Sequence, residues 1–213
     1  MADHADDDSD DITFVYTGGR VAQHLRRTIT RARIDASVEE IHAGAFMNCT
    51  KLRHLEMHEG VRKIGKRAFL RCHSLVGVQL LGVRIIEMEA FKLCDDLKDV
   101  EFGDELETIG KLALYQCGSL RRLTLLAVST IELCAFASCD QLRVITLPRE
   151  GLVTIQGRAF AECPSLRQIA IPLKEDMLAG TVFDDCDGLA KVVPVGGSTK
   201  QSLLCTSIVG GRK

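Results

Sequence analysis

Apolar residues recur along this chain with a period of 22 to 24 residues, and they keep five positions in register. A bulky apolar residue stands three positions before each of seven cysteines, and a leucine stands three positions after each. Alanine, or in one case Val182, precedes the bulky residue, and an isoleucine or leucine lies four positions earlier still. Such self-similarity predicts seven copies of one structural unit.

Each unit reads I-x-x-x-A-F-x-x-C-x-x-L-x-x-L-x-L. The spacing of three and four in its first half predicts a short helix or helical turn. The second half alternates, as in Leu120, Leu123 and Leu125, and predicts a short strand. Burying one such side chain is worth roughly 1.5–3 kcal/mol before entropic costs, so units that stack are stable where a single unit is not.

The segments VRKIGKRAFLRCHSL (61–75), LRVITLP (142–148) and LVTIQGRAFAECPSL (152–166) resemble the BspA-like leucine-rich-repeat family. The resemblance covers roughly residues 35–194. It implies an α/β fold, a right-handed leucine-rich-repeat solenoid with a parallel β-sheet on the concave side and short helices or helical turns on the convex side. It implies little about activity, because members include surface adhesins and many proteins of unknown role.

Charge and pattern divide the chain into three parts. Residues 1–11 hold six aspartates and no lysine or arginine, which predicts a disordered acidic tail, and the remainder has 27 basic against 23 acidic residues. We expect the solenoid to cover residues 12–194, with a degenerate N-terminal cap at 12–34 and seven repeats at about 35–194. Residues 195–213 are interpreted as a C-terminal cap or a flexible tail.

No signal peptide and no apolar run long enough to cross a membrane is seen in the sequence. We therefore expect a cytoplasmic location and no membrane span.

Nine cysteines raise the question of metal, redox or disulfide chemistry. Seven of them belong to the repeat, hereafter the column cysteines: Cys49, Cys72, Cys94, Cys117, Cys139, Cys163 and Cys186. Neighbouring coils about 4.8 Å apart do not by themselves exclude disulfides. An odd-numbered column without an export signal favours buried, reduced thiols in small core slots. Cys134 and Cys205 lie outside the column, and no histidine stands near them in sequence.

A second candidate for chemistry is the alternating set His54, Glu56 and His58, which could share one strand face and hold Zn²⁺ or Cu²⁺. Same-face neighbours in a strand lie roughly 6–7 Å apart, which is awkward for one ion, so a solvated face is favoured. The sequence also lacks the common catalytic and phosphate-binding motifs. We therefore predict no enzyme, no catalytic residue, no cofactor and no metal.

The positions of the predicted strands that face solvent carry the remaining pattern. The residue after the column leucine is basic in five of seven units, and we call these five residues the basic ridge: Arg53, Lys98, Arg121, Arg143 and Arg167. The candidate partner-binding set consists of the ridge together with the polar residues beside it: His54, Glu56, Asp99, Glu101 and Arg122. The alternative is that these charges merely keep a long solenoid soluble.

A further group of arginines lies near the leading end: Arg20, Arg26, Arg27, Arg31 and Arg33. One hypothesis is that the acidic tail folds onto this group and masks it.

The sequence thus predicts a non-enzymatic protein–protein interaction module with an unidentified, acidic partner. The alternative is a structural scaffold or adhesin-type segment with recognition elsewhere. Nucleic acid is a less favoured partner, because two Tyr, eight Phe and no Trp leave few aromatic side chains for base stacking. Oligomeric state and the identity of the partner stay open.

Overall fold

The computed structural model describes residues 13–152, 154–172 and 180–194, and its regular elements within these ranges are β-strands. In chain order the strands are β1 (Thr13–Tyr16), β2 (Arg31–Ile34), β3 (Glu40–Ile41), β4 (His54–Glu56), β5 (Lys63–Ile64), β6 (Gly77–Leu80), β7 (Ile85–Ile86), β8 (Asp99–Phe102), β9 (Thr108–Ile109), β10 (Arg122–Thr124), β11 (Thr130–Ile131), β12 (Val144–Thr146), β13 (Thr154–Ile155), β14 (Gln168–Ile171) and β15 (Lys191–Pro194). The predicted acidic tail, the predicted C-terminal cap or tail and Cys205 lie outside the described residues.

The longer strands form the front sheet, which consists of β1, β2, β4, β6, β8, β10, β12, β14 and β15. Every pairing in it is parallel, and equivalent repeat positions are in register, as in Leu123 opposite Ile145. Pairing runs in three blocks, β1-β2-β4, β6-β8 and β10-β12-β14-β15. The strand predicted from the alternating half of each repeat is confirmed, and so is the parallel arrangement that the family resemblance implied.

A second parallel array, the side ladder, contains the two-residue strands β3, β5, β7, β9, β11 and β13. Each of these strands ends on the isoleucine of the repeat, and Ile131 lies opposite Ile109 and Ile155. The sequence interpretation assigned this isoleucine to the helical half, which is wrong. β-branched residues such as those of Thr-Ile pairs favour the extended backbone found here.

The predicted helices on the convex side are absent from the described residues. Two positions in each of six coils, and one in the coil of Cys186, have a left-handed backbone, which L-residues adopt at a cost and which interrupts a right-handed helix. The first immediately precedes each column cysteine, with φ between 56° and 64°: Asn48, Arg71, Leu93, Gln116, Ser138, Glu162 and Asp185. The second lies four residues earlier, with φ between 54° and 63°: Gly44, Arg67, Glu89, Leu112, Cys134 and Arg158.

Backbone hydrogen bonds on this side therefore alternate between bonds within tight turns, such as that from the Cys49 amide to the Phe46 carbonyl (3.0 Å), and bonds between coils. The Phe46 amide donates to the Ala68 carbonyl (2.7 Å) and the Asn48 amide donates to the Leu70 carbonyl (2.8 Å). A helix would have directed these donors to residues four positions earlier in the same coil. The spacing of three and four in the sequence arises from successive tight turns, and the described fold is a parallel-strand solenoid without the predicted helical layer.

The repeat positions form one continuous core. The column cysteines and the repeat alanines are fully buried, and no polar or charged side chain is buried among the described residues. Phenylalanine rings stack coil upon coil, with centroids 5.0 Å apart for Phe46 and Phe69 and again for Phe69 and Phe91. Leu114 interrupts the stack, which resumes at Phe136 and Phe160. The predicted apolar columns are thus confirmed, except at Leu178, which lies outside the described residues.

Candidate partner-binding surface

The basic ridge is a real line of residues along the front sheet. Backbone hydrogen bonds join equivalent positions of successive coils: the Arg143 amide donates to the Arg121 carbonyl (2.9 Å), and the Arg167 amide donates to the Arg143 carbonyl (3.0 Å). At the other end, the Val76 amide donates to the Arg53 carbonyl (3.2 Å) and the Lys98 amide donates to the Val76 carbonyl (2.9 Å). All five ridge residues are exposed, so one coil after another presents a cation on the same side of the molecule.

The other candidate residues lie beside the ridge on the outer side of the front sheet. His54 is in register with Arg31, and Asp99 is in register with Gly77. The structure brings five of the ten candidates into one groove: Lys98, Asp99, Glu101, Arg121 and Arg122. It separates the rest, because Arg53, His54 and Glu56 lie two coils to one side and Arg143 and Arg167 lie to the other.

The ridge cations differ from the cations of the side ladder in how they are paired. Among the described residues, none of the five ridge side chains forms an ion pair. Arg121 only donates from Nε to the Gln141 amide oxygen (3.4 Å), and Arg167 donates to the Pro164 carbonyl (2.8 Å).

Charges along the side ladder, in contrast, neutralise one another across coils. Lys63 lies between Glu40 (3.3 Å) and Glu87 (2.8 Å), and Arg62 contacts Glu105 at 3.1 Å. The hydrogen bond that Lys63 donates to Glu87 raises the pKa of Lys63, so the cation is held in its charged form. The side ladder thus carries paired charge, whereas the five cations of the basic ridge form no ion pair among the described residues.

The column cysteines have a structural role. The Cys94 thiol donates to the Phe69 carbonyl of the preceding coil (3.2 Å), and the Cys117 thiol donates to the Phe91 carbonyl (3.3 Å). Burial raises the pKa of Cys49 to about 12 and holds the pKa of Cys72 well above its usual value, so these thiols stay protonated and unreactive near neutral pH. All eight described cysteines are free thiols, and Cys134 alone among them is partly exposed.

His54, Glu56 and His58 do not form a ligand set. His54 and Glu56 are exposed on β4, but the strand ends before His58. The His58 ring contacts the Asp35 carbonyl (3.0 Å) and accepts a hydrogen bond from the Gly60 amide (3.1 Å). Across the described part of the chain, no three His, Cys, Asp or Glu side chains are placed to hold a metal ion together.

Three members of the arginine group near the N-terminal end of the solenoid contact other groups of the chain. Arg20 donates to the Ala43 carbonyl (3.1 Å), Arg26 donates to the Val21 carbonyl (3.0 Å), and Arg31 lies 4.0 Å from Glu56. The proposed masking by the acidic tail stays a prediction, because residues 1–11 lie outside the described ranges.

The sequence analysis missed the apolar part of the groove. Leu126 is 64% exposed, and it lines the groove together with Val100 and Phe102, which are only partly buried. The signal was present in Leu125-Leu126, because only the first of these leucines occupies a repeat position. The groove has a volume of about 640 Å³.

Parallel strands, stacked apolar columns and short coils define a leucine-rich-repeat solenoid. The chain belongs to the family of the BspA type leucine rich repeat region, whose model matches residues 25–82 and 79–190 in six copies. The resemblance seen in the sequence is thereby confirmed.

Solved structures of bacterial leucine-rich-repeat proteins have the same fold. A leucine rich cell surface protein from Faecalibacterium prausnitzii is 21% identical, with a TM-score of 0.56, over 85% of this chain and 64% of that one. A leucine-rich repeat protein from Bacteroides ovatus is 24% identical (TM-score 0.54; 84% and 58% covered), and one from T. pallidum is 22% identical (TM-score 0.57; 88% and 76% covered).

The chain therefore spans less than two thirds of the length of the first two of these structures. No curated protein has a sequence match to it. Within the described ranges there is no helix with the length and apolar character needed to cross a membrane.

Proposed function

We propose that this chain is a non-enzymatic interaction module that binds an acidic segment of another protein along the basic ridge. The observation that carries the proposal is the contrast in charge pairing. Cations of the side ladder, such as Lys63, contact carboxylates of their own chain, whereas the ridge cations have no ion-pair partner among the described residues. A partner's carboxylates would supply the missing counter-charges.

The strength expected from such a surface follows from its exposure. One exposed ion pair contributes roughly 0.2–1 kcal/mol, so affinity must come from several ridge residues acting together. A row of like charges also accelerates the encounter with an oppositely charged partner, and salt screens this effect. Binding should therefore weaken steeply as ionic strength rises, mainly through slower association.

The test is partner capture with a matched pair of charge reversals. One variant carries Arg121→Glu and Arg143→Glu on the ridge. The control carries Lys66→Glu and Lys111→Glu, two exposed lysines of the convex turns, and has the same net charge. Proteins captured from a lysate by the wild-type chain are compared with those captured by each variant, by mass spectrometry.

The proposal requires that the ridge variant loses acidic partners that the control variant keeps. If both variants lose them equally, overall charge rather than the ridge governs binding. If both keep them, the ridge is not the binding surface.

A scaffold role is the second candidate, and the open edge of β1 favours it. Among the described residues β1 has a paired strand on one side only, and Val15 on this strand is 41% exposed. An unprotected edge strand is a template for pairing with another chain. Light scattering across a concentration series, with Val15→Lys as the blocking variant, tests for self-association through this edge.

A further inference from the structure

Pairing in the front sheet is broken between β4 and β6 and again between β8 and β10. The strands β8 and β10 are neighbours, but they are not paired. Val100 and Phe102 of β8 occupy positions that face the core in other coils, yet both remain partly exposed. The equivalent residues of the next coil, Leu123 and Leu125, are fully buried. A groove lined by residues of β4, β6, β8 and β10 lies at this break, and apolar side chains meet solvent in it.

The position that directly follows β8 is a glycine. Gly103 packs so closely against the preceding coil that a Cβ atom would collide with the Leu81 carbonyl oxygen. In the following coil the equivalent position is Leu126, because Leu125 matches Phe102 in the repeat. Leu126 lies exposed at the groove, beside the break between β8 and β10.

Charged residues of both signs line the groove, and each sign occupies its own part of it. Lys98 and Arg121 of the basic ridge stand at one end, with Arg122 beside them. Asp99 and Glu101 lie on the β8 wall, and Glu101 accepts a hydrogen bond from the Gln79 side-chain amide (3.0 Å). The ridge end of the groove therefore carries three cations, the β8 wall carries two carboxylates, and Val100, Phe102 and Leu126 form the apolar part.

We infer that this groove is an anchor site for one bulky apolar side chain of the acidic partner. The inference rests on the proposed function, because the occupant is an extended acidic segment that follows the basic ridge. Its carboxylates face Lys98, Arg121 and Arg122, and its leucine- or phenylalanine-sized residue contacts Val100, Phe102 and Leu126. An apolar anchor at the centre of a charged surface is the usual way in which a few residues dominate binding.

Fluorescence anisotropy with two defined peptides tests the inference on the full chain. Each fluorescein-labelled nonapeptide has glutamate on both sides of a central residue, which is phenylalanine in one peptide and alanine in the other. Wild type should bind the phenylalanine peptide about tenfold more tightly or better, since one large apolar side chain is buried only in that complex. Leu126→Ser should reduce this affinity to that of the alanine peptide, which itself should bind unchanged.

Leu133→Ser is the matched control, because Leu133 is an exposed leucine of the convex turns. It should leave both affinities as in wild type. Equal binding of the two peptides by wild type would overturn the anchor and leave the ridge intact. Binding of neither peptide, either by wild type or by a variant whose six aspartates in residues 1–11 are changed to asparagine, would overturn the ridge as well. Binding by that variant alone would assign the surface to the chain's own acidic segment, against a separate partner.

Discussion

The thiol of Cys72 donates a hydrogen bond to the backbone carbonyl of Phe46, 3.2 Å away in the preceding coil. The same relationship recurs up to Cys186, whose thiol lies 2.9 Å from the Phe160 carbonyl. The column cysteines therefore fill small core slots and also connect adjacent coils. Thiols that are buried and hydrogen-bonded in this way serve core packing rather than chemistry.

Removing a column thiol should lower stability. We expect Cys94→Ala to reduce the free energy of unfolding by about 1–2 kcal/mol, because it leaves a small cavity and removes the bond to Phe69. Cys134→Ala, at a partly exposed position, should change it by less than about 0.5 kcal/mol. Urea denaturation of both variants measures the difference. Equal effects of the two substitutions would mean that burial and the bond to Phe69 add nothing to the stability contributed by the column thiol.

Stability should also fall at alkaline pH through these thiols. Burial raises the pKa of Cys49 from 9.0 to about 12 in the folded chain. A raised folded-state pKa gives stability that is complete below the unfolded value and is lost as pH rises towards the folded value. Between pH 9 and pH 12 we expect the contribution of Cys49 to decline by about 1.4 kcal/mol per pH unit.

The variant Cys49→Ala isolates this contribution. The stability difference between wild type and variant, measured by urea denaturation, should be constant from pH 7 to pH 8.5. At pH 10 it should be smaller by about 1.4 kcal/mol. A difference that does not change with pH would show that Cys49 does not titrate on unfolding.

The left-handed turns make an unusual prediction for an exposed residue. Gln116 has a φ of 58° and an exposed side chain. Gln116→Gly should be neutral or stabilising, because glycine adopts this conformation without strain. Gln116→Val should cost about 1 kcal/mol or more, because a β-branched side chain is disfavoured there. In a helix, glycine would instead lower stability by roughly 0.5–1 kcal/mol. Thermal denaturation of the two variants therefore distinguishes a left-handed turn from a helix at this position.

The interrupted aromatic stack offers a test of core packing. Leu114 is fully buried between the coils of Phe91 and Phe136, at a position where the other described coils have phenylalanine. We expect Leu114→Phe to raise stability by up to about 1 kcal/mol, because the new ring can stack on both neighbours at the spacing of the coils. Phe69→Leu is the reverse control and should lower stability. A loss of more than about 1 kcal/mol in Leu114→Phe would show that the slot is too small for the ring.

The sequence was sufficient to predict the stacked apolar columns and the strands of the front sheet. It was not sufficient to predict the side ladder and the convex turns. Apolar residues recur at the positions of Ile41, Phe46 and Leu52 because these positions are buried in every coil, and a repeated apolar residue therefore indicates burial. The direction of backbone hydrogen bonds is not visible in that pattern. Positions such as Asn48 and Gln116 adopt left-handed turns with no shared residue type to reveal them.

The binding surface shows the same limit. The ridge positions could be read from the sequence, because the register fixes which residues line up. The groove could not, because it depends on a local failure of two strands to pair beside Leu126. The pairing of charges along the side ladder was also invisible, since Lys63 meets Glu40 and Glu87 only when the coils stack.

The spacing of the coils has a consequence for length. Successive coils are about 5.0 Å apart, as the rings of Phe46, Phe69 and Phe91 show. An extended peptide presents side chains on one face about every 6.8 Å, twice the rise of a strand residue. Side chains of such a peptide and of the ridge therefore come opposite one another only about once in every four coils. A flexible acidic partner can match the ridge over a short stretch, and a longer solenoid would add ridge positions that lie opposite no partner side chain.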